Sequence, residues 1–210
     1  MYENLERLHP GAREIADAEF RYSGAAPECS KNDKSVDEAN IMAAALRSRG
    51  SHGPSGVNAK EFRRLCLNYN KSSNQLLKAL AALATRLNTE HVDPVHITAL
   101  TASRMIGIPK SQGGTRPIGI GGIIRRILCK AVIRNASDRL AEAGGAVNLA
   151  LGQRGGVEAA LRASLQMFDH PHSQCVLLVD ADNAFNRLNR KTALYNVQYT
   201  CPEIATMWIN

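Results

Sequence analysis

Aromatic residues are scarce in this chain of 210 residues: Phe, Trp and Tyr together supply 5% of it. So thin a supply argues against a base-stacking sheet of the kind that reads single-stranded RNA. Paired cysteines are also missing. Cys29, Cys66, Cys129, Cys175 and Cys201 are scattered, odd in number, and none belongs to a C-x-x-C pair. That usage speaks against a disulfide framework and a zinc site, and for reduced thiols in an intracellular protein, cytoplasmic or nuclear. His91 and His96 have no further Cys or His nearby to complete a metal set and read as surface or capping residues. Met1–Pro10 lacks the apolar centre of a secretion signal, and no apolar run approaches the ~20 residues that span a bilayer. No membrane partner is therefore expected. The phosphate-loop pattern G-x-x-x-x-G-K-[ST] does not occur, and Gly119-x-Gly121 lacks the third glycine of the dinucleotide pattern. Internal repeats and low-complexity tracts are absent as well.

What is present is an ordinary globular balance, 44% hydrophobic and 21% charged, with one unusual feature in how the charge is placed. Of 26 Lys and Arg against 19 Asp and Glu, eight bases (Arg104, Lys110, Arg116, Arg125, Arg126, Lys130, Arg134, Arg139) fall between Arg104 and Arg139 with a single acid, Asp138. This stretch carries the whole surplus of +7, and the remainder is neutral. A local positive field of that kind suits phosphate, as nucleic acid or as nucleotide. A solvated helix face gives the same count.

The pattern along the chain predicts mostly helices. Met1–Lys34 is polar and weakly patterned, an irregular or partly disordered lead-in. Ser35-x-x-Glu38 has the form of a capping box opening a helix from Val36 to about Arg47. Gly50–Gly56 (GSHGPSG) is a loop, and Asn58-x-x-Glu61 opens a short helix. Leu76, Leu80, Leu83 and Leu87 recur at helical spacing and predict a core stripe on a helix over 73–87. Asp93-Pro94 caps a further helix to about Ser103. Met105–Pro109 and Thr115–Ile120, separated by Ser111-Gln112-Gly113-Gly114, read as a β-hairpin. A helix from Ile123 to about Leu140 follows, with Ile123, Ile127 and Ala131 on one stripe and Arg126, Lys130 and Arg134 on the next. Gly155-Gly156 precedes a helix to Phe168. Cys175–Asp180 (CVLLVD) reads as a buried strand ending in a carboxylate, and a last helical region begins near Asn189.

Two segments carry chemistry. A carboxylate at the end of a buried strand is held rigidly at the edge of a core, ready for a divalent cation, although a turn or cap aspartate has the same local form. The hairpin sets Lys110 and Arg116 on facing strands near a glycine tip, where two cations can clamp a polyphosphate. Basic residues at hairpin edges also serve merely to discourage aggregation. Pro117 keeps Arg116 extended.

Taken in order, Ile108-Pro109-Lys110, Gly113-Gly114-Thr115-Arg116-Pro117-Ile118, a basic helix, and Asp180-Ala181-Asp182-Asn183-Ala184-Phe185 resemble the reverse transcriptases of retroelements, over roughly 105–194. The resemblance implies an α+β, right-hand polymerase-like fragment of fingers and palm, helix-rich with a β-hairpin and one palm strand. Its divisions are an irregular lead-in over 1–34, a helical N-terminal region over 35–104, a fingers-like hairpin and basic helix over 105–174, and the start of a palm over 175–210. It implies RNA-directed DNA polymerase chemistry, in which a primer 3′-hydroxyl attacks the α-phosphate of a dNTP on an RNA template, with two Mg²⁺ (or Mn²⁺) ions. Asp180 would be the catalytic aspartate. Asp180 and the Ala181 carbonyl would be metal contacts. Lys110, Arg116, Asp182, Asn183, Ala184 and Phe185 would hold the dNTP, with Phe185 under the sugar. Arg125, Arg126, Lys130 and Arg134 would face RNA template and DNA primer. Asn186 stands where many relatives have a second aspartate. No aromatic-x-Asp-Asp turn follows to complete a two-metal site, so templated extension by this chain alone is not expected. Two other readings remain. One is a non-catalytic nucleic-acid-binding remnant. The other is an Asp-x-Asp phosphatase or sugar-nucleotide transferase fragment, built on Asp180-Ala181-Asp182.

Overall fold

A computed structural model describes residues 22–111, 113–145, 148–149, 154–180 and 188–210. It is α+β and rich in helix. In chain order it has α1 (Glu38–Arg47), α2 (Ala59–Leu67), α3 (Lys71–Thr89), α4 (Pro94–Thr101), β1 (Ser103–Pro109), β2 (Thr115–Gly121), α5 (Ile123–Asn135), α6 (Ser137–Gly144), α7 (Gly156–Phe168), α8 (Arg190–Thr200) and α9 (Pro202–Ile209). Residues 22–34, at the end of the expected lead-in, hold neither helix nor strand, and 1–21 lie outside the described residues.

Local chemistry sets the helix starts. Asn58 accepts from the backbone of Lys60 and Glu61, while the Glu61 carboxylate accepts from the Asn58 N–H at 2.9 Å, completing the expected capping box. Asp93 accepts from Val95 N ahead of Pro94. The first box is different. Asp37 caps α1 by accepting from Asn40 N at 2.7 Å, and the Ser35 hydroxyl donates back to Asn32 O. The carboxylate two residues on is the better acceptor for helix N–H groups, so it takes the cap and α1 begins later than expected.

Helix α3 runs through the centre, packed by α1, α2, α5 and α9. Its buried apolar face is Leu77, Leu80, Ala81, Ala84 and Leu87, whereas Leu83 is exposed and Leu76 lies at the margin. The expected leucine stripe is therefore turned part of the way round. Alanines let α1 and α5 approach closely, and the face that touches them becomes the core whatever its leucine content. Ile41, Ala44 and Ala45 of α1, Phe62 and Cys66 of α2, Ile123, Ile127, Leu128, Ala131 and Val132 of α5, and Ile204 of α9 close it. Each fully buried Leu, Ile or Phe contributes about 1.5–3 kcal/mol. Asn88 is the polar tie in this core: its amide donates to Lys34 O at 2.9 Å and Glu203 O at 2.8 Å, joining the lead-in to α9. Tyr22 stacks on Tyr199 of α8 with ring centroids 5.1 Å apart, and the Tyr195 hydroxyl donates to Tyr22 O.

The helix expected to run to Leu140 breaks at Ala136, which is buried, and α6 restarts at Ser137 so that Leu140 turns back onto the core. The expected helix over 156–168 is present as α7, yet Val157, Leu161, Leu165 and Phe168 on it are all exposed.

One expectation is overturned. Cys175–Asp180 forms no strand and is not buried: Val176 is 55%, Leu177 83%, Leu178 89% and Val179 84% exposed. A strand exists only as part of a ladder. Among the described residues the only strands are β1 and β2, which pair with each other, so this apolar run has neither a ladder nor a covering helix.

Candidate nucleotide and nucleic-acid site

The hairpin is antiparallel, with Ile108 opposite Arg116, Ile106 opposite Ile118 and Arg104 opposite Ile120. Its turn closes through Lys110 N to Gly114 O at 3.0 Å and Gly113 N to Lys110 O at 3.2 Å. Gly113 and Gly114 have φ of +88° and +87°, a conformation L side chains rarely adopt, so both positions need glycine. Pro109 and Pro117 lack an N–H, which a two-stranded ribbon tolerates because each strand keeps an open edge. Lys110 follows directly on Pro109, and Arg116 sits opposite Ile108, two residues earlier. The two exposed cations thus come from register positions that are diagonal neighbours at the tip.

At its base the ribbon meets the loop Gly50–Gly56. A Cβ on Gly53 would lie 2.7 Å from Gly121 C and O and 2.8 Å from Gly122 N. Only glycine allows the two backbones to come so close. Arg126 Nη1 donates to Ser51 O of the same loop at 3.3 Å, and Arg125 Nη1 donates to Thr101 O at the end of α4 at 3.0 Å. The hairpin, the loop and the first turn of α5 therefore form one junction.

The four α5 cations part company here. Ile123, Ile127 and Ala131 bury as expected, and the adjacent basic stripe exists, but it is not uniformly presented to solvent. Arg125 and Arg126 spend a guanidinium nitrogen on backbone carbonyls. Arg126 is half-buried, with Nη2 shielded and without a hydrogen-bond partner, and Arg104 Nε is in the same state. Lys130 Nζ donates to Ser48 Oγ at 3.4 Å. Arg134 is exposed beside a groove of about 690 Å³ between α1 and α5, which Arg47 and Lys130 also line. Nothing in the periodicity of either helix joins Arg47 to this group, because that contact exists only once α1 packs on α5.

A second, apolar pocket of about 550 Å³ opens between α3, α4, α5, α8 and α9, with Leu100, Ile133, Leu194 and Trp208 on its walls. Cys129 lines it, its thiol pushed above the ordinary range by burial against the opposing pull of Arg125.

Asp180 is exposed, and the ion pairs Arg86–Glu90, Arg139–Glu142 and Arg139–Glu203 do not link it to Lys110 or Arg116. Ala181, Asp182, Asn183, Ala184 and Phe185 lie outside the described residues. Among the described residues no group of three or more His, Cys, Asp and Glu side chains converges as a metal site. Asp180 is the one described carboxylate that the resemblance assigns to the metals, and a lone exposed carboxylate does not make a Mg²⁺ site. His91 and His96 are exposed. No helix among the described residues is long and apolar enough to cross a membrane.

Compared with protein-family models and with curated proteins, the chain matches none.

Proposed function

We propose that this chain is the fingers and first palm part of a retroelement-type reverse transcriptase. Lys110 and Arg116 would grip the triphosphate of an incoming dNTP. As the resemblance implies, Phe185 would lie under its sugar, and Asp180 would be one of several carboxylates needed to hold Mg²⁺, the rest of which the described residues do not supply. The RNA template and DNA primer run past the basic face of α5, and the working compartment is intracellular. The observation that carries this reading is the hairpin, whose register sets Lys110 and Arg116 as diagonal neighbours at a glycine tip.

Charge-assisted hydrogen bonds contribute about 1.5–3 kcal/mol each, so Lys110→Ala/Arg116→Ala is expected to weaken dNTP binding by more than about tenfold. Binding of a fluorescent dNTP by the full chain, with the matching nucleoside as control, measures this. Equal affinity of the double variant and the parent would refute the reading, as would equal affinity for nucleoside and triphosphate.

A non-catalytic nucleic-acid-binding remnant is the second reading, favoured by the exposure of Asp180, which joins none of the ion pairs among the described residues. It requires that Asp180→Ala leave RNA binding unchanged with and without Mg²⁺. An Mg²⁺-dependent loss in that variant would favour the first.

A further inference from the structure

The hydrogen bonds fix how α1 and α5 lie against each other. Asn135 at the end of α5 donates to Asp33 O and Ser35 O, just before α1, at 3.0 Å each. Lys130 meets Ser48, just after α1, and Arg126 meets Ser51. The helices are therefore antiparallel, and the groove between them has a direction. Arg47 and Lys130 stand at one end, and Arg134 stands one helical turn on, about 6 Å further along. Ala43, Ala44 and Ile133 give the groove an apolar lining, and Asn40, Asn135 and Ser137 are its neutral polar residues. Asp138 is its single acid, leaving a net charge of +2. No aromatic residue lines it. The ion pairs among the described residues use none of Arg47, Lys130 and Arg134.

Cations strung along a channel suit a linear polyanion better than one phosphate group. Walls without an aromatic platform offer nothing for a base to stack on. We propose that the α1/α5 groove is a track for the phosphodiester backbone of a nucleic acid, held by Arg47, Lys130 and Arg134 without regard to sequence. This rests on the nucleic-acid part of the proposed function and adds to it a residue from the helical N-terminal region, Arg47. It also leaves Arg125 and Arg126 out of the track, since neither lines the groove and each donates instead to a loop or helix-end carbonyl.

Phosphates on one strand of a duplex recur every ~3.4 Å of helix axis and lie further apart along the backbone itself, so cations about 6 Å apart reach separate phosphates. Each contact steepens the dependence of log affinity on log salt by about 0.9, worth about fivefold at about 0.15 M salt. The test is the anisotropy of a short fluorescent RNA–DNA duplex with the full chain, titrated between about 50 and 200 mM salt. Arg47→Gln/Arg134→Gln is expected to bind about 30-fold more weakly at about 0.15 M and to lower the slope by about 1.8. Arg47→Lys/Arg134→Lys retains both, and two duplexes of unrelated sequence bind alike. Both replaced residues are exposed, so the melting temperature stays where it was. An unchanged slope in the Gln variant would overturn the proposal. So would a strong preference between the two sequences, or tighter binding to anionic phospholipid vesicles than to the duplex. Lys110→Ala/Arg116→Ala is expected to keep the duplex slope. If it alone loses the slope, the contact belongs to the hairpin and the groove is excluded. Binding of dNTP is read separately, so the hairpin assignment stands or falls by itself.

Discussion

Gly53→Ala tests whether the hairpin is held to the bundle by backbone contact. The added Cβ would sit 2.7 Å from Gly121 C and O, against an ordinary contact of 3.4 Å or more, so one backbone must retreat by about 0.7 Å. No side chain can rotate aside, because the atoms it meets are all main chain. Gly53 does not have a positive φ, so the clash is the whole cost of the change. Retreat of the loop also stretches the 3.3 Å bond from Arg126 to Ser51 O. Overpacking of this kind costs about 1–3 kcal/mol, which at about 2–4 °C per kcal/mol lowers the melting temperature by about 2–12 °C. Circular dichroism melts measure it, and dNTP affinity should fall along with it, since the loop forms the base of the ribbon that carries Lys110 and Arg116. Gly122→Ala is the control: its Cβ meets nothing within 4 Å, so it should lose only the preference of a helix N-cap for glycine over alanine, up to about 1 kcal/mol. If Gly53→Ala melts within about 1 °C of the parent while duplicate melts agree, the junction is not close-packed and the reasoning fails.

Two further perturbations read the bundle. Asn88→Ala removes both amide hydrogen bonds, the one to Lys34 O and the one to Glu203 O. The loss should be about 1–3 kcal/mol per bond left unmade, seen as a lower urea midpoint. Cys201 has its thiol pushed up to about 12 by burial, by its hydrogen bond to Glu203 and by the Glu203 charge. In the unfolded chain the same thiol ionises near 9, so the stability it contributes is complete below pH ~9 and is lost as pH rises towards ~12. Burial pushes Cys66 and Cys129 the same way. A urea midpoint that falls over that window in the parent, and falls less in Cys201→Ala, is the expected result; parallel profiles would refute it.

Local signals in the sequence could be read where the local chemistry has one solution. Asn58 with Glu61, Asp93 with Pro94, and the glycine tip between Pro109 and Thr115 all stand where they were expected. Ser35 did not cap, because Asp37 competes for the same N–H groups from two residues away. The buried face of α3 departs from the leucine stripe because burial is decided by the alanines of its neighbours, which lie far off in the chain. The same limit hid Arg47 and Gly53. A groove cation and a backbone contact are both properties of two segments, and neither segment shows them alone. Asp180 illustrates the converse: its run of apolar residues has strand composition, and composition supplies no partner.

That unpartnered run has a consequence for how the chain behaves at high concentration. Val176-Leu177-Leu178-Val179 holds no charge and no proline, and its amides and carbonyls pair with nothing in a ladder. It is a ready template for the backbone of any second molecule, and stacking of such templates is how intermolecular cross-β growth begins. Asp180 at one end and the His170–His172 pair upstream are the nearest gatekeepers. Four residues that take no part in the core thus bear on the solubility of the polypeptide.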